Sequence, residues 1–241
     1  MAQQAKFPYL CFVHEDVVIH SIAWGEKLVN LLKLEEIGIV GVSGAVYKSS
    51  YPSTWSMAPV EYYRTHSIQR WKNGSITENE FKSKPNAEID EVVVLDGVFL
   101  AMRKTVWSAY PFNEWDIKGF HFYDYDICMR VKPKYKLIVS YEILLEHFSE
   151  GVLSQEWVCQ SFKFHSKYKK ELPSYLMLAE PIDTRVLERI TLENLLYVLI
   201  RLGCQLYFGY YLFLFFFKNP SDVKWIKILY YYCRRLVKIS S

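Results

Sequence analysis

Five apolar residues in an unbroken run, Tyr9 to Val13 (YLCFV), give way at once to His14, Glu15 and Asp16. A short run without alternation reads as a strand covered on both faces, and covered strands belong to open sheets layered with helices. In such sheets ligands bind beyond the carboxyl ends of the strands. Three groups able to hold a metal or a proton at that edge mark a candidate site, with oxygens suited to Mg2+ or Mn2+. Acids that merely end a strand at the surface give the same pattern, so the tripeptide leaves both uses open.

The pattern recurs. Residues 91–95 (EVVVL) form a second β-branched run, and it ends in Asp96 followed by Gly97, which lets backbone or ligand come close. A third run, 135–141 (YKLIVSY), leads to Glu146 and His147. A lone histidine after a strand is more often a structural hydrogen-bonding group than a ligand. Asp124 and Asp126 stand where a helix should begin, a place the helix dipole favours for carboxylates. Two residues apart, they do not share a helical face, so one is free to enter a cleft while the other makes a structural contact.

Between these runs, Ser21 is placed to cap a helix whose apolar face is Ile22, Leu28, Val29, Leu31 and Leu32. Residues 38–44 (GIVGVSG) read as another strand, and their glycines lack the spacing of a dinucleotide fingerprint. Strand, helix, strand is the grammar of an α/β domain. Residues 45–90 read as an irregular segment punctuated by Tyr47, Tyr51, Trp55, Tyr62, Tyr63 and Trp71: either a lid packed by its own rings or a surface for stacking on a sugar or a base. A helix is expected over 154–170, closed by Pro173.

With 241 residues the chain can bury one sizeable core and carry a smaller appendage. Five scattered cysteines without paired short spacing fit a reduced, cytoplasmic compartment. The net charge of +3 is uneven: from Lys218 onward six bases face Asp222 alone, giving +5 there and −2 elsewhere. Ahead of that tail, residues 192–217 are mostly apolar, but the longest uncharged stretch, 202–217, falls short of the roughly 20 residues that span a bilayer. Asn194, Arg201 and Gln205 share one helical stripe. The expectation is a greasy helix followed by a basic, Tyr-rich tail resting on an anionic membrane surface. A helical hairpin buried against the main domain is the competing expectation. Nucleic acid is not an expected partner, because the basic residues are embedded in apolar and tyrosine-rich sequence.

Five ordered segments carry a resemblance: 14–17 (HEDV), 95–101 (LDGVFLA), 111–114 (PFNE), 122–130 (FYDYDICMR) and 147–151 (HFSEG). Together they resemble a bacterial branch of glycosyltransferase family 2, over roughly residues 5–172. The resemblance implies a GT-A-like, mostly parallel sheet flanked by helices, incomplete at its amino terminus because only eight residues precede Tyr9. It divides the chain into a transferase domain, 1–173, and a helical, hydrophobic then basic extension, 174–241.

The resemblance also implies roles. His14, Asp16 and His147 would ligate a divalent cation, Mn2+ or Mg2+, with His14 standing where the family's first motif acid would be. Asp124 would be the general base, with Tyr123 in place of the Glu that usually precedes it. Asp96 and Glu15 would contact the donor or acceptor. The implied activity is inverting transfer from a nucleotide-sugar donor to a hydroxyl of a glycan or lipid-linked acceptor, in surface polysaccharide assembly at the inner face of the cell membrane. A non-catalytic GT-A remnant that binds a partner or membrane is the alternative. A metal-dependent phosphohydrolase ranks last, since no second dense metal cluster is present.

Overall fold

A computed structural model describes residues 2–117, 119–149, 151–177 and 182–240, with the side chains of 236–240 left aside. Glu150 of the last motif and the side chain of Lys238 in the basic tail therefore lie outside the described residues.

Two sheets share most of the strands. The first has the order β1 (Tyr9–Val13), β10 (Phe99–Arg103), β3 (Ile37–Gly41), β11 (Lys136–Ser140), β8 (Ile89–Val92). The second has the order β2 (Val17–Ile19), β12 (Leu145–His147), β6 (Tyr63–Arg70), β4 (Ser43–Ala45), β9 (Val94–Leu95), with β7 (Ile76–Phe81) also on β6. Four segments cross from the first sheet to the second, β1 to β2, β3 to β4, β8 to β9 and β11 to β12. These crossings form the seam between the two sheets. His14, Glu15 and Asp16 are the β1–β2 crossing.

The expected mostly parallel sheet is corrected here. Among the described residues only β3 with β11 and β6 with β12 pair in parallel; the other eight pairings are antiparallel. The fold is a mixed α/β sheet whose faces are nonetheless covered. Alternate residues of β10 and β11 point opposite ways. Phe99, Ala101 and Ile138 pack toward Leu28 and Leu32 of α1 (Trp24–Leu32), while Leu100, Met102, Leu137 and Val139 join the core that holds Ile127 and Val131 of α3 (Tyr123–Val131). Helices on both faces explain why the central strands read as unbroken apolar runs.

β1 does not fit its expected burial. Among the described residues it pairs with β10 alone, as an edge strand, and Cys11 and Val13 on one of its faces are exposed. Ser21 does not cap α1 either. Its hydroxyl accepts from the Leu144 N–H at 2.8 Å, Ala23 takes the left-handed N-cap position, and Ile22 lies outside the helix and exposed. The segment 45–90 is not irregular throughout: β6 and β7 form a hairpin turned at Gly74, which has φ 84°.

Past α2 (Lys104–Ala109) and α3, the helix α4 (Gln155–Lys167) starts where Ser154 Oγ accepts from the Trp157 N–H at 3.1 Å. β13 (Ser174–Tyr175) then pairs with β5 (Tyr47–Lys48). The rest is helical: α5 (Thr184–Leu202), α6 (Gln205–Lys218) and α7 (Lys224–Ser240). α5 docks on the segment after β5. Glu188 accepts from Ser49 Oγ at 2.6 Å, from the Ser50 N–H at 3.1 Å and from the Tyr47 and Ser50 hydroxyls. Asn194 donates to the Met57 carbonyl at 2.9 Å. Gly203, with φ 71°, ends α5, so Gln205 falls on a different helix from Asn194 and Arg201 and the expected shared stripe is broken. Among the described residues no helix is long and apolar enough to cross a membrane.

Candidate active site

The seam between the sheets brings three chain segments together through backbone bonds. The His14 N–H donates to the Val98 carbonyl at 3.1 Å, which sets β1 beside the residues just after Asp96 and Gly97. The Phe148 N–H donates to the Asp16 carbonyl at 2.9 Å, and β12 pairs with β2 so that His147 faces Val17. Strand register alone therefore fixes His14 and Asp16 next to His147.

One ligand atom from each of these three side chains lies within 4.8 Å of the other two. Asp16 Oδ1 is 3.5 Å from His147 Nε2 and 4.0 Å from His14 Nδ1. Both distances are below about 4.2 Å, twice the ~2.1 Å ligand distance of a small divalent cation, so an ion held by Asp16 is within reach of either imidazole. Burial holds the His14 imidazole below its ordinary pKa, against the opposing pull of the Asp96 and Asp16 carboxylates. A neutral imidazole is the form that ligates. A hydrogen bond from Ser149 keeps Asp16 below the usual carboxylate value, and Ser149 Oγ also lies 3.2 Å from His147 Nε2. Two nitrogens and one carboxylate oxygen form a credible divalent-cation donor set.

A second pair of acids meets at Gly97. Asp124, in the first turn of α3, accepts from the Gly97 N–H at 3.0 Å and from the Tyr125 N–H at 2.9 Å. Asp96 accepts from the Val98 N–H at 2.8 Å and from the Trp55 indole at 2.6 Å. Burial, then the Asp96 charge, pushes the Asp124 carboxyl up to about 7, against those backbone donors. A carboxylate poised near neutrality is suited to taking up a proton. Asp126 does the other job expected of this pair: it is fully buried and bonded to Arg130 Nε at 2.8 Å, Lys167 Nζ at 2.7 Å and the Tyr168 hydroxyl at 2.7 Å.

Tyr123 joins the two groups. Its hydroxyl donates to the Gly97 carbonyl at 3.1 Å and stands 3.4 Å from His14 Nε2. A cleft of about 470 Å³ opens at this junction, lined by His14, Gly97 and Tyr123 on one side and by Phe112, Asn113 and Glu114 of the PFNE loop on the other. Asp96 and Asp124 lie one residue away from lining residues. Glu15 is exposed and outside the His14–Asp16–His147 group.

Three residues around these groups escaped the sequence reading. Trp55 was legible only as one aromatic among several, yet its indole holds Asp96. Tyr123 was legible only as a missing acid. Lys48 carried no signal: it is buried, donates to Ser53 O at 3.0 Å, contacts His165 Nε2 at 2.9 Å, and is pushed down to about 7 by burial, against the attraction of Glu188 and Asp124.

Gly97 leaves no room for a side chain. A Cβ there would stand 2.3 Å from the Tyr123 hydroxyl oxygen and 3.3 Å from Asp124 Cβ. Gly97→Ala should therefore cost about 1–3 kcal/mol of stability by overpacking. It should also lower turnover by about 100-fold, the scale of a 1 Å misplacement. Thermal melts alongside initial rates check this, and full activity in a stable Gly97→Ala chain would show that the Tyr123–Asp124 placement is irrelevant.

Residues 1–176 match the model of a glycosyltransferase-like family. No curated protein matches the chain.

Proposed function

The chain belongs to that glycosyltransferase-like family, and we propose that it is an inverting, metal-dependent enzyme moving a sugar from a nucleotide-sugar donor to an acceptor hydroxyl. The observation carrying this reading is the junction at Tyr123, where His14 of a three-residue cation set lines the cleft and a carboxylate poised near neutrality stands one residue behind its wall.

In the proposed reaction the acceptor hydroxyl attacks the anomeric carbon as Asp124 takes its proton. The carbon–oxygen bond to the nucleoside diphosphate breaks, and the bonding pair leaves with the diphosphate. A single displacement of this kind inverts the anomeric centre. Asp96, held by Trp55 and Val98, orients a sugar hydroxyl beside the base. His14, Asp16 and His147 would hold a divalent cation, which when bound offsets charge on the diphosphate. Phe112 of the PFNE loop lines the cleft and the exposed Phe120 ring lies 5.2 Å from the His14 ring, apolar surface on which a sugar can stack. A lipid-linked acceptor at the cytoplasmic face of the cell membrane, in bacterial surface polysaccharide assembly, is the proposed setting. The exposed aromatic side of α6 supports it.

Calorimetry with a panel of nucleotide sugars, with and without Mn2+, tests the reading. Binding of one donor only in the presence of Mn2+, and its hydrolysis or transfer to added glycan, is the expected result. Replacement of the first motif acid by His14 favours one competitor, a scaffold that has lost catalysis; silence across the panel would favour that competitor over the enzyme.

A further inference from the structure

A second cleft, about 450 Å³, lies between α5 and α7, far along the chain from the site above. It is lined by Tyr197, Ile200 and Arg201 from α5 and by Tyr231, Arg234 and Arg235 from α7. Three arginines line this hollow, and among the described residues none of them has a carboxylate within ion-pair distance. The acid about two turns before Arg201 on α5, Glu193, is taken by Lys224 at 2.7 Å and Arg189 at 3.9 Å. Arg235 spends one nitrogen on the Arg201 carbonyl at 2.6 Å, while its Nε is buried without a hydrogen-bond partner. The two tyrosine rings meet edge to face at 6.2 Å and fix the walls.

Concentrated like charge is costly unless something fills the hollow. A phosphate group answers it, because guanidinium forks bind its oxygens in pairs and tyrosine hydroxyls add further donors.

The surroundings say where that phosphate comes from. α6 buries Phe208, Tyr211 and Phe215 toward the core, yet the opposite side presents Leu206 (92% exposed), Tyr210 (59%), Phe213 (58%) and Phe217 (60%). These four fall on one helical stripe about 16 Å long. α7 continues the theme. Tyr230 is exposed, and Arg234 of the cleft lies one turn further along the same face. Aromatic rings beside arginines are the composition of a membrane–water interface.

We propose that the α5–α7 cleft binds the phosphate of an acidic lipid while the α6 stripe enters the outer acyl layer. This rests on the membrane part of the proposed function and is independent of the transferase part.

The test uses the full chain and vesicle flotation, with phosphatidylcholine alone and with added phosphatidylglycerol. Wild type should bind the anionic vesicles at least tenfold more tightly. R201K/R234K keeps every charge but loses the forks, and should weaken that binding about tenfold; K227Q, an α7 cation outside the cleft, should cost no more than the roughly fivefold of any surface charge. F213D should weaken binding to both vesicle types. R201K/R234K binding like wild type would overturn the cleft as a built site. Equal binding of both vesicle types would overturn it too, leaving membrane attachment intact. Arginine-dependent binding of inorganic pyrophosphate without vesicle binding would overturn the lipid as the phosphate's source and membrane attachment with it. Absence of all binding would overturn both.

Discussion

Asp124→Asn should slow glycosyl transfer by about 10²–10⁴-fold, the usual worth of a positioned general base. The amide is isosteric and keeps one oxygen for the Gly97 or Tyr125 N–H, so a folded protein is expected, and donor affinity should stay within a few-fold of wild type. A loss confined to kcat is the signature of proton transfer; a loss in KM alone would assign Asp124 to binding. The pH profile gives a second readout. Since burial and Asp96 push the carboxyl up to about 7, kcat/KM should rise as pH increases through about 7 and level off above it. Asp96→Asn removes the neighbouring charge and should move that limb to lower pH.

Stability should respond in the opposite sense. In the unfolded chain the same carboxyl titrates near its ordinary ~3.9. Between that value and about 7 the folded protein holds a proton that the unfolded chain has released, so stability is full at the acidic end and is lost as pH rises through the window. Asp124→Asn abolishes this contribution and should flatten the stability–pH curve there. A rate profile without a limb near 7, in a variant as active as wild type, would dispose of the assignment.

The sequence displayed some of this site far better than the rest, for physical reasons. Strand ends are visible because apolar runs stop at chemistry-bearing residues, so Asp16, Asp96 and His147 stood out. Asp124 and Asp126 could be told apart in principle by helical geometry, and the structure divides their contacts accordingly, Asp126 within an ion-pair network and Asp124 at Gly97. Local pattern does not reveal which strand pairs with which. The apolar runs of β1 and β3 look alike, yet one is an edge and the other central, and parallel and antiparallel neighbours leave the same trace. The β6–β7 hairpin hid because its residues are half-exposed and polar, although Asn73-Gly74 between them is a turn signal. Trp55 and Lys48 were unreadable for a further reason. Their partners, Asp96 and His165, are 41 and 117 residues distant, and nothing in a single chain marks such pairs.

Asp16→Ala should abolish specific Mn2+ binding, a loss beyond the ~10–100-fold that changes outside the ligand set bring. Transfer should fall by a comparable factor. The substitution is clean because the backbone bond from Phe148 to the Asp16 carbonyl does not involve the side chain, and that side chain is about a third exposed. His14 and His147 should therefore keep their places on β1 and β12. If the three donors share one ion, each depends on the others: Asp16→Ala/His147→Ala should be scarcely worse than either single change. Two imidazole nitrogens with one carboxylate oxygen should prefer Mn2+ over Mg2+, since imidazole suits the softer metal. Burial that keeps His14 neutral should let Mn2+ bind at a lower pH than a free histidine would allow, and acidification that protonates the imidazole should release it. Titration calorimetry of wild type and the three variants decides the matter. Asp16→Ala with undiminished Mn2+ affinity would leave the His14–Asp16–His147 convergence as a hydrogen-bonded strand junction, and the diphosphate would then need its counter-charge from somewhere else on the cleft wall.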